Sequence, residues 1–121
     1  MAGNRTPGQM FALVFGVVYV LVGVVGLFVD TVVIFDVNLL HSIVHIITGA
    51  AWVFASRDPA MAKTVNTAIG VVYLLLALLG VFGLLDDLIN HNPADAVLHL
   101  VSGAASLYFG TAGAGARSAT A

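Results

Sequence analysis

The chain has 121 residues, 60% of them hydrophobic and 8% charged, with a formal net charge of −2. Soluble domains are about a quarter charged, and a chain this short cannot hide so much apolar surface from water. The near-neutral charge gives no electrostatic footing for nucleic acid, and the absence of cysteine excludes disulfides, thiolate metal ligation and thiol catalysis.

Residues 1–9 form a short leading segment that carries Arg5. Met10 to Val29 follows without a charge, about twenty residues, enough to cross roughly 30 Å of hydrocarbon at about 1.5 Å per residue. A cleaved signal peptide is the rival reading. The run is long for one, however, and no small-x-small site follows where it ends, Gly26-Leu27-Phe28-Val29-Asp30. A retained helix is expected. Asn38 precedes a second apolar run over 39–55, Val65 to Leu85 makes a third, and a fourth spans 96–112 behind Asn92. The tail at 113–121, with its Gly, Ala, Ser and Thr, has little to bury and is expected to be disordered. The expected fold is an all-α membrane protein of four transmembrane helices, with no length left for a soluble catalytic domain.

Charge placement sets an orientation. Arg5, Arg57, Lys63 and Arg117 fall before the first span, between the second and third, and after the fourth. The other two loops, Asp30 to Asn38 and Asp86 to Asp95, hold no Lys or Arg and carry five of the six acidic residues. Basic residues stay on the cytoplasmic side, so both termini are expected there.

The chain also repeats itself. An ungapped offset of 54 lays residues 15–56 over 69–110 and pairs Tyr19 with Tyr73. Gly16-Val17-Val18 meets Gly70-Val71-Val72, Asn38 meets Asn92, His45 meets His99, and Gly49-Ala50-Ala51 meets Gly103-Ala104-Ala105. Chance matches in apolar sequence fall on aliphatics and rarely align Tyr, Asn, His and Gly together. Each copy holds two spans, so the copies run parallel, as two tandem hairpins related by a pseudo-twofold along the membrane normal. Gly16, Gly23, Gly49, Gly70 and Gly103 mark faces for close helix packing. Tyr19 and Tyr73, at mid-span, each need a hydrogen-bond partner across the bundle.

The stretch from Val37 to Ala51, with Asn38, His41, His45 and Gly49, resembles the central signature of an uncharacterised prokaryotic membrane family, domain of unknown function 4383. Asn92 to Gly103 resembles its second signature, and Arg5-Thr6-Pro7-x-Gln9 its opening. Ser42 and Val97 depart from the Asn and the aromatic usual there. The resemblance covers nearly the whole chain and implies four spans in a prokaryotic plasma membrane. It implies no activity.

His41 and His45 are four apart and share a helix face, and Asp95 and His99 occupy the matching positions in the second copy. Asn38 and Asn92 read as N-caps of the helices that carry them. Asp36 and His91 fall in the outer loops and are expected to be solvated. Ionisable residues inside a membrane are costly and mark candidate sites. The plain reading is structural: neutral His45 and His99 hydrogen-bond to Tyr, Thr48, Ser102 or each other and hold the hairpins in register. Three functional readings stay open beside it. His41, His45, Asp95 and His99 suit a divalent metal such as zinc. His45 and His99 suit axial ligation of a haem. The same groups suit a proton or solute path.

No Ser–His–Asp order, phosphate-binding glycine loop or His-Glu-x-x-His motif occurs, so an enzyme is not expected. Short loops and small-residue faces favour a protein acting by association in the lipid bilayer, as a homo-oligomer or an accessory subunit of a membrane complex.

Overall fold

The computed structural model describes residues 5–32, 35–84 and 92–111. Among them run four helices, α1 (Pro7–Gly26), α2 (Leu39–Ala55), α3 (Pro59–Val81) and α4 (Pro93–Thr111). Between α1 and α2 sits a short antiparallel pair, β1 (Thr31–Val32) and β2 (Phe35–Asp36), with Thr31 paired to Asp36 and Val32 to Phe35. The tail at 113–121, His91 and the solvation of Asp36 lie outside what is described.

The helix starts follow their caps more closely than the apolar runs. Gln9 donates its N–H to Thr6 Oγ1 at 3.1 Å, and Thr6 donates its N–H to Gln9 Oε1 at 2.8 Å, a closed capping box. Pro7 occupies the first position, where no N–H is needed, so α1 begins ahead of Met10. It turns off at Gly26, short of Val29, because the chain there heads into the strand pair. Asn38 Oδ1 accepts the His41 N–H at 2.9 Å, and Asp58 Oδ2 accepts the Met61 N–H at 2.9 Å. The second of these, with Pro59 behind it, starts α3 well before Val65. Gly83 follows that helix at φ 74°, in the left-handed region that favours glycine. Asn92 and Asp95 close a matching box at the start of α4, at 2.9 and 3.0 Å, ahead of Ala96. An apolar run marks what must avoid water, whereas a cap marks where the backbone ladder begins.

α1 packs antiparallel on α2, and α3 on α4, as two hairpins. Contact is closest at glycine. A Cβ on Gly49 would stand 2.6 Å from the Gly16 carbonyl oxygen, and one on Gly103 would stand 2.9 Å from the Leu74 amide nitrogen. Backbones this close admit no side chain. Gly16 and Gly23 also turn to α2, and Gly70 turns to α4, so the expected small-residue faces are used inside the hairpins.

The interior mixes an aromatic cluster with many polar side chains, and the exterior is rich in large apolar ones. His41, His45, His99, Asn66, Asp95, Ser42, Ser102 and Ser106 are fully buried with Trp52, while Val14, Val18, Leu21, Val25, Leu75 and Leu78 are exposed. Water-soluble folds have the opposite distribution. α1 and α3 are long and apolar enough to cross a membrane.

Candidate metal centre

The two hairpins meet through polar and aromatic side chains. Tyr19 on α1 donates its hydroxyl to Ser102 Oγ on α4 at 2.8 Å, and Tyr73 on α3 donates to Thr48 Oγ1 on α2 at 2.8 Å. The two phenol rings are 5.7 Å apart between centroids. Trp52 packs edge-on to both, at 5.0 Å from Tyr19 and 6.2 Å from Tyr73. At the end that carries Arg57, Asn66 donates its Nδ2 N–H to the Gly8 carbonyl at 3.1 Å, across the hairpins. Gln9 donates to the Ser56 carbonyl at 3.0 Å within the first hairpin.

One layer beyond the tyrosines, toward the α1–α2 connection, the histidines gather. His41 and His45 share a face of α2 with ring centroids 4.3 Å apart. His99 comes from α4, at 5.7 Å from His41 and 6.2 Å from His45. All three are buried, and one ligand nitrogen from each lies within 4.8 Å of the others. Tyr19 caps His45 and Tyr73 caps His99, both at 5.1 Å between centroids. Residues 9–112 match the family model described as domain of unknown function (DUF4383). The chain belongs to this family. No curated protein and no solved structure matches it.

In this DUF4383 chain the convergent set is His41, His45 and His99, three of the four residues expected there. Asp95 is buried one turn before His99, and its Oδ2 closes the α4 cap with the Asn92 N–H. It brings a carboxylate to the same end of the bundle without joining the trio. Asn38 and Asn92 do cap their helices, as described above.

The structural reading gave the histidines Tyr, Thr48, Ser102 or each other as partners, and Ser102 Oγ and Thr48 Oγ1 accept from the tyrosine hydroxyls. His45 is fully buried, and among the described residues neither of its ring nitrogens has a hydrogen-bond partner. Burying an imidazole in this way costs about 1–3 kcal/mol per unsatisfied group. A metal ion removes that cost at the coordinating nitrogen.

The donor set suits a borderline transition metal. Imidazole nitrogen favours Zn, Cu, Fe and Ni, whereas Mg and Ca want oxygen. Two nitrogens on one tetrahedral zinc stand roughly 3.3 Å apart for bonds of about 2.0 Å, so small side-chain rotations close the trio. A haem does not fit. Between ring centroids, His41 packs within 4.3 Å of His45 and 5.7 Å of His99, and Tyr19 and Tyr73 lie 5.1 Å from His45 and His99, so buried rings already crowd the space around the pair that a macrocycle would need.

The sequence singled out neither Trp52 nor the Gln9, Asn66 and Ser106 cluster. Ser106 donates to the Asn66 carbonyl at 2.7 Å and ties α4 to α3. The available signal was a lone tryptophan set against Ser106 in the repeat register, and an amide inside a long helix.

Proposed function

We propose that this chain is a non-enzymatic four-span protein of a prokaryotic plasma membrane that binds a divalent transition-metal ion, zinc or a close relative, at His41, His45 and His99. One observation carries it: three buried imidazoles from two hairpins converge within 4.8 Å, and His45 has no protein partner for either ring nitrogen among the described residues. Four spans are supported by the buried polar side chains and the apolar exterior, since lipid is the solvent that tolerates such an exterior. α2 is 17 residues long, at the short end of what spans a bilayer. Cytoplasmic termini rest on Arg5, Arg57, Lys63 and Arg117, and they place the histidines in the outer half of the membrane.

A pseudo-twofold between the hairpins is supported by matched contacts. The bond from Tyr19 to Ser102 is the copy of that from Tyr73 to Thr48 when 54 is added or subtracted. Gly16 meets Val53 as Gly70 meets Leu107, in the same register. Association as a homo-oligomer or accessory subunit stays a second reading, supported by the short α2–α3 connection, while the small-residue faces are used within the hairpins.

The test is metal analysis of full-length protein purified in detergent, equilibrated with zinc and desalted. Stoichiometric zinc is expected, falling to background in the His45→Gln/His99→Gln variant while the helical circular dichroism stays unchanged. Background zinc in the wild type overturns the assignment. So does a wild type whose zinc survives both substitutions. If the double variant unfolds, His41→Gln serves in its place, and unchanged zinc affinity there removes His41 from the site.

A further inference from the structure

The three ligands divide two to one between the hairpins, and the rest of the packing divides in a corresponding way. Contacts of the helix-packing glycines, Gly16, Gly23 and Gly49 in the first hairpin and Gly70, Gly103 and Gly110 in the second, all stay within their own hairpin. These are close approaches of one helix to the backbone and side-chain atoms of its partner. Between the hairpins the contacts are hydroxyls, an amide and stacked rings: Tyr19 to Ser102, Tyr73 to Thr48, Asn66 to Gly8, Phe11 on Phe109 at 5.1 Å, and the histidines. Three residues, Ser56 to Asp58, join α2 to α3. Each hairpin is a close-packed body, and the seam between the two joins an aromatic cluster around Trp52 to a set of polar contacts.

From this division, and resting on the metal reading, we infer that the ion is a staple that docks one hairpin on the other, so that the chain is a metal-responsive membrane protein. Without the ion, neither ring nitrogen of His45 has a hydrogen-bond partner among the described residues, and the seam hydrogen bonds are individually weak. Interhelical hydrogen bonds in membranes average about 0.6 kcal/mol. An ion bound only by the docked form adds RT ln(1 + [M]/Kd), about 2.7 kcal/mol when its free concentration is a hundredfold above Kd. That exceeds the roughly 1.8 kcal/mol of three seam hydrogen bonds at about 0.6 kcal/mol each, so metal shifts the balance toward the docked form. Parting opens the outer half, where the histidines lie. The other end stays held by the Ser56–Asp58 connection and by the bond from Asn66 to Gly8.

The chain has no cysteine, so introduced ones label uniquely. Spin labels go on Leu39→Cys in α2 and Val97→Cys in α4, both exposed, and their distance distribution is read by pulsed electron–electron resonance with zinc and with chelator. One narrow distance is expected with zinc, and a longer, broader distribution with chelator. A pair inside the first hairpin, Met10→Cys with Leu39→Cys, is expected to stay the same in both. Adding His99→Gln to the first pair is expected to fix it in the broad state. If that variant misfolds, titrating the unsubstituted pair with zinc gives the same information, since the shift must saturate with bound metal. Zinc bound at the trio with identical distributions overturns the staple and leaves the metal site standing. No zinc bound and no shift overturns both.

Discussion

Replacing Gly49 by alanine sets two effects of opposite sign against each other. Alanine is a better helix former than glycine by roughly 0.5–1 kcal/mol. The added methyl, however, would lie 2.6 Å from both the Gly16 carbonyl oxygen and the Val20 amide nitrogen. These are backbone atoms of the facing helix and cannot swing aside, so α1 and α2 must separate. Overpacking of this kind costs about 1–3 kcal/mol, and the net effect is a destabilisation of about 1–2 kcal/mol. Gly103→Ala is the internal comparison. Its methyl would approach the Leu74 amide nitrogen at 2.9 Å and the Gly70 carbonyl oxygen at 3.2 Å, a few tenths of an ångström looser. Helix preference then offsets more of the clash, and its loss is the smaller. Unfolding in mixed micelles of rising SDS content, followed by the fluorescence of the single, fully buried Trp52, ranks the two variants. His45 lies one turn from Gly49, so the same separation is expected to weaken zinc binding in Gly49→Ala. A Gly49→Ala protein as stable as the wild type, or less harmed than Gly103→Ala, refutes the packing argument.

Tyr19→Phe and Tyr73→Phe each remove one cross-hairpin hydrogen bond, and each is expected to lower stability by about 0.6 kcal/mol in the same SDS titration. Unequal losses, with one bond worth nothing, count against the matched pair as the hold between hairpins. Single cysteines test the orientation in whole cells with a membrane-impermeant maleimide. Thr31→Cys is expected to label from outside and Ala60→Cys only after lysis, and the reverse pattern turns the topology over.

The sequence reveals more of the scaffold than of the site. Helix number and the two hairpins are legible because apolar runs mark what must be kept from water and the short α2–α3 connection separates them into pairs. Helix ends are less so, since Thr6, Asp58 and Asn92 start the ladder outside the apolar run. His41, His45 and His99 are legible as candidates because an ionisable residue in an apolar run has few ordinary explanations. Their partners are not. Thr48 and Ser102 look equally fit for histidine or tyrosine, and only the depth of each ring along the bundle gives them to Tyr19 and Tyr73. Asp95 reads as a fourth ligand from its spacing, yet its backbone position also makes it the cap partner of Asn92.

If the two hairpins are related by the proposed twofold, the places where their sequences differ follow from what such an axis allows. A side chain beside such an axis meets its own copy, so a bulky residue can occupy one copy only. Trp52 is fully buried and touches Phe11, Tyr19 and Tyr73, residues from both hairpins. Its counterpart in the register is Ser106, which is small and bonds back to Asn66 on its own hairpin. Two tryptophans there would compete for one space. The same reasoning applies one layer out, where His41 faces Asp95 in the register. A symmetric layer would place four imidazoles in a buried volume that three already crowd, with ring centroids 4.3–6.2 Å apart. Exchanging one for a carboxylate relieves the crowding and sets an oxygen donor at the same end as the proposed metal site. A Trp52→Ser variant is therefore expected to lose more stability than Ser106→Ala, because it empties the axis that both hairpins pack against.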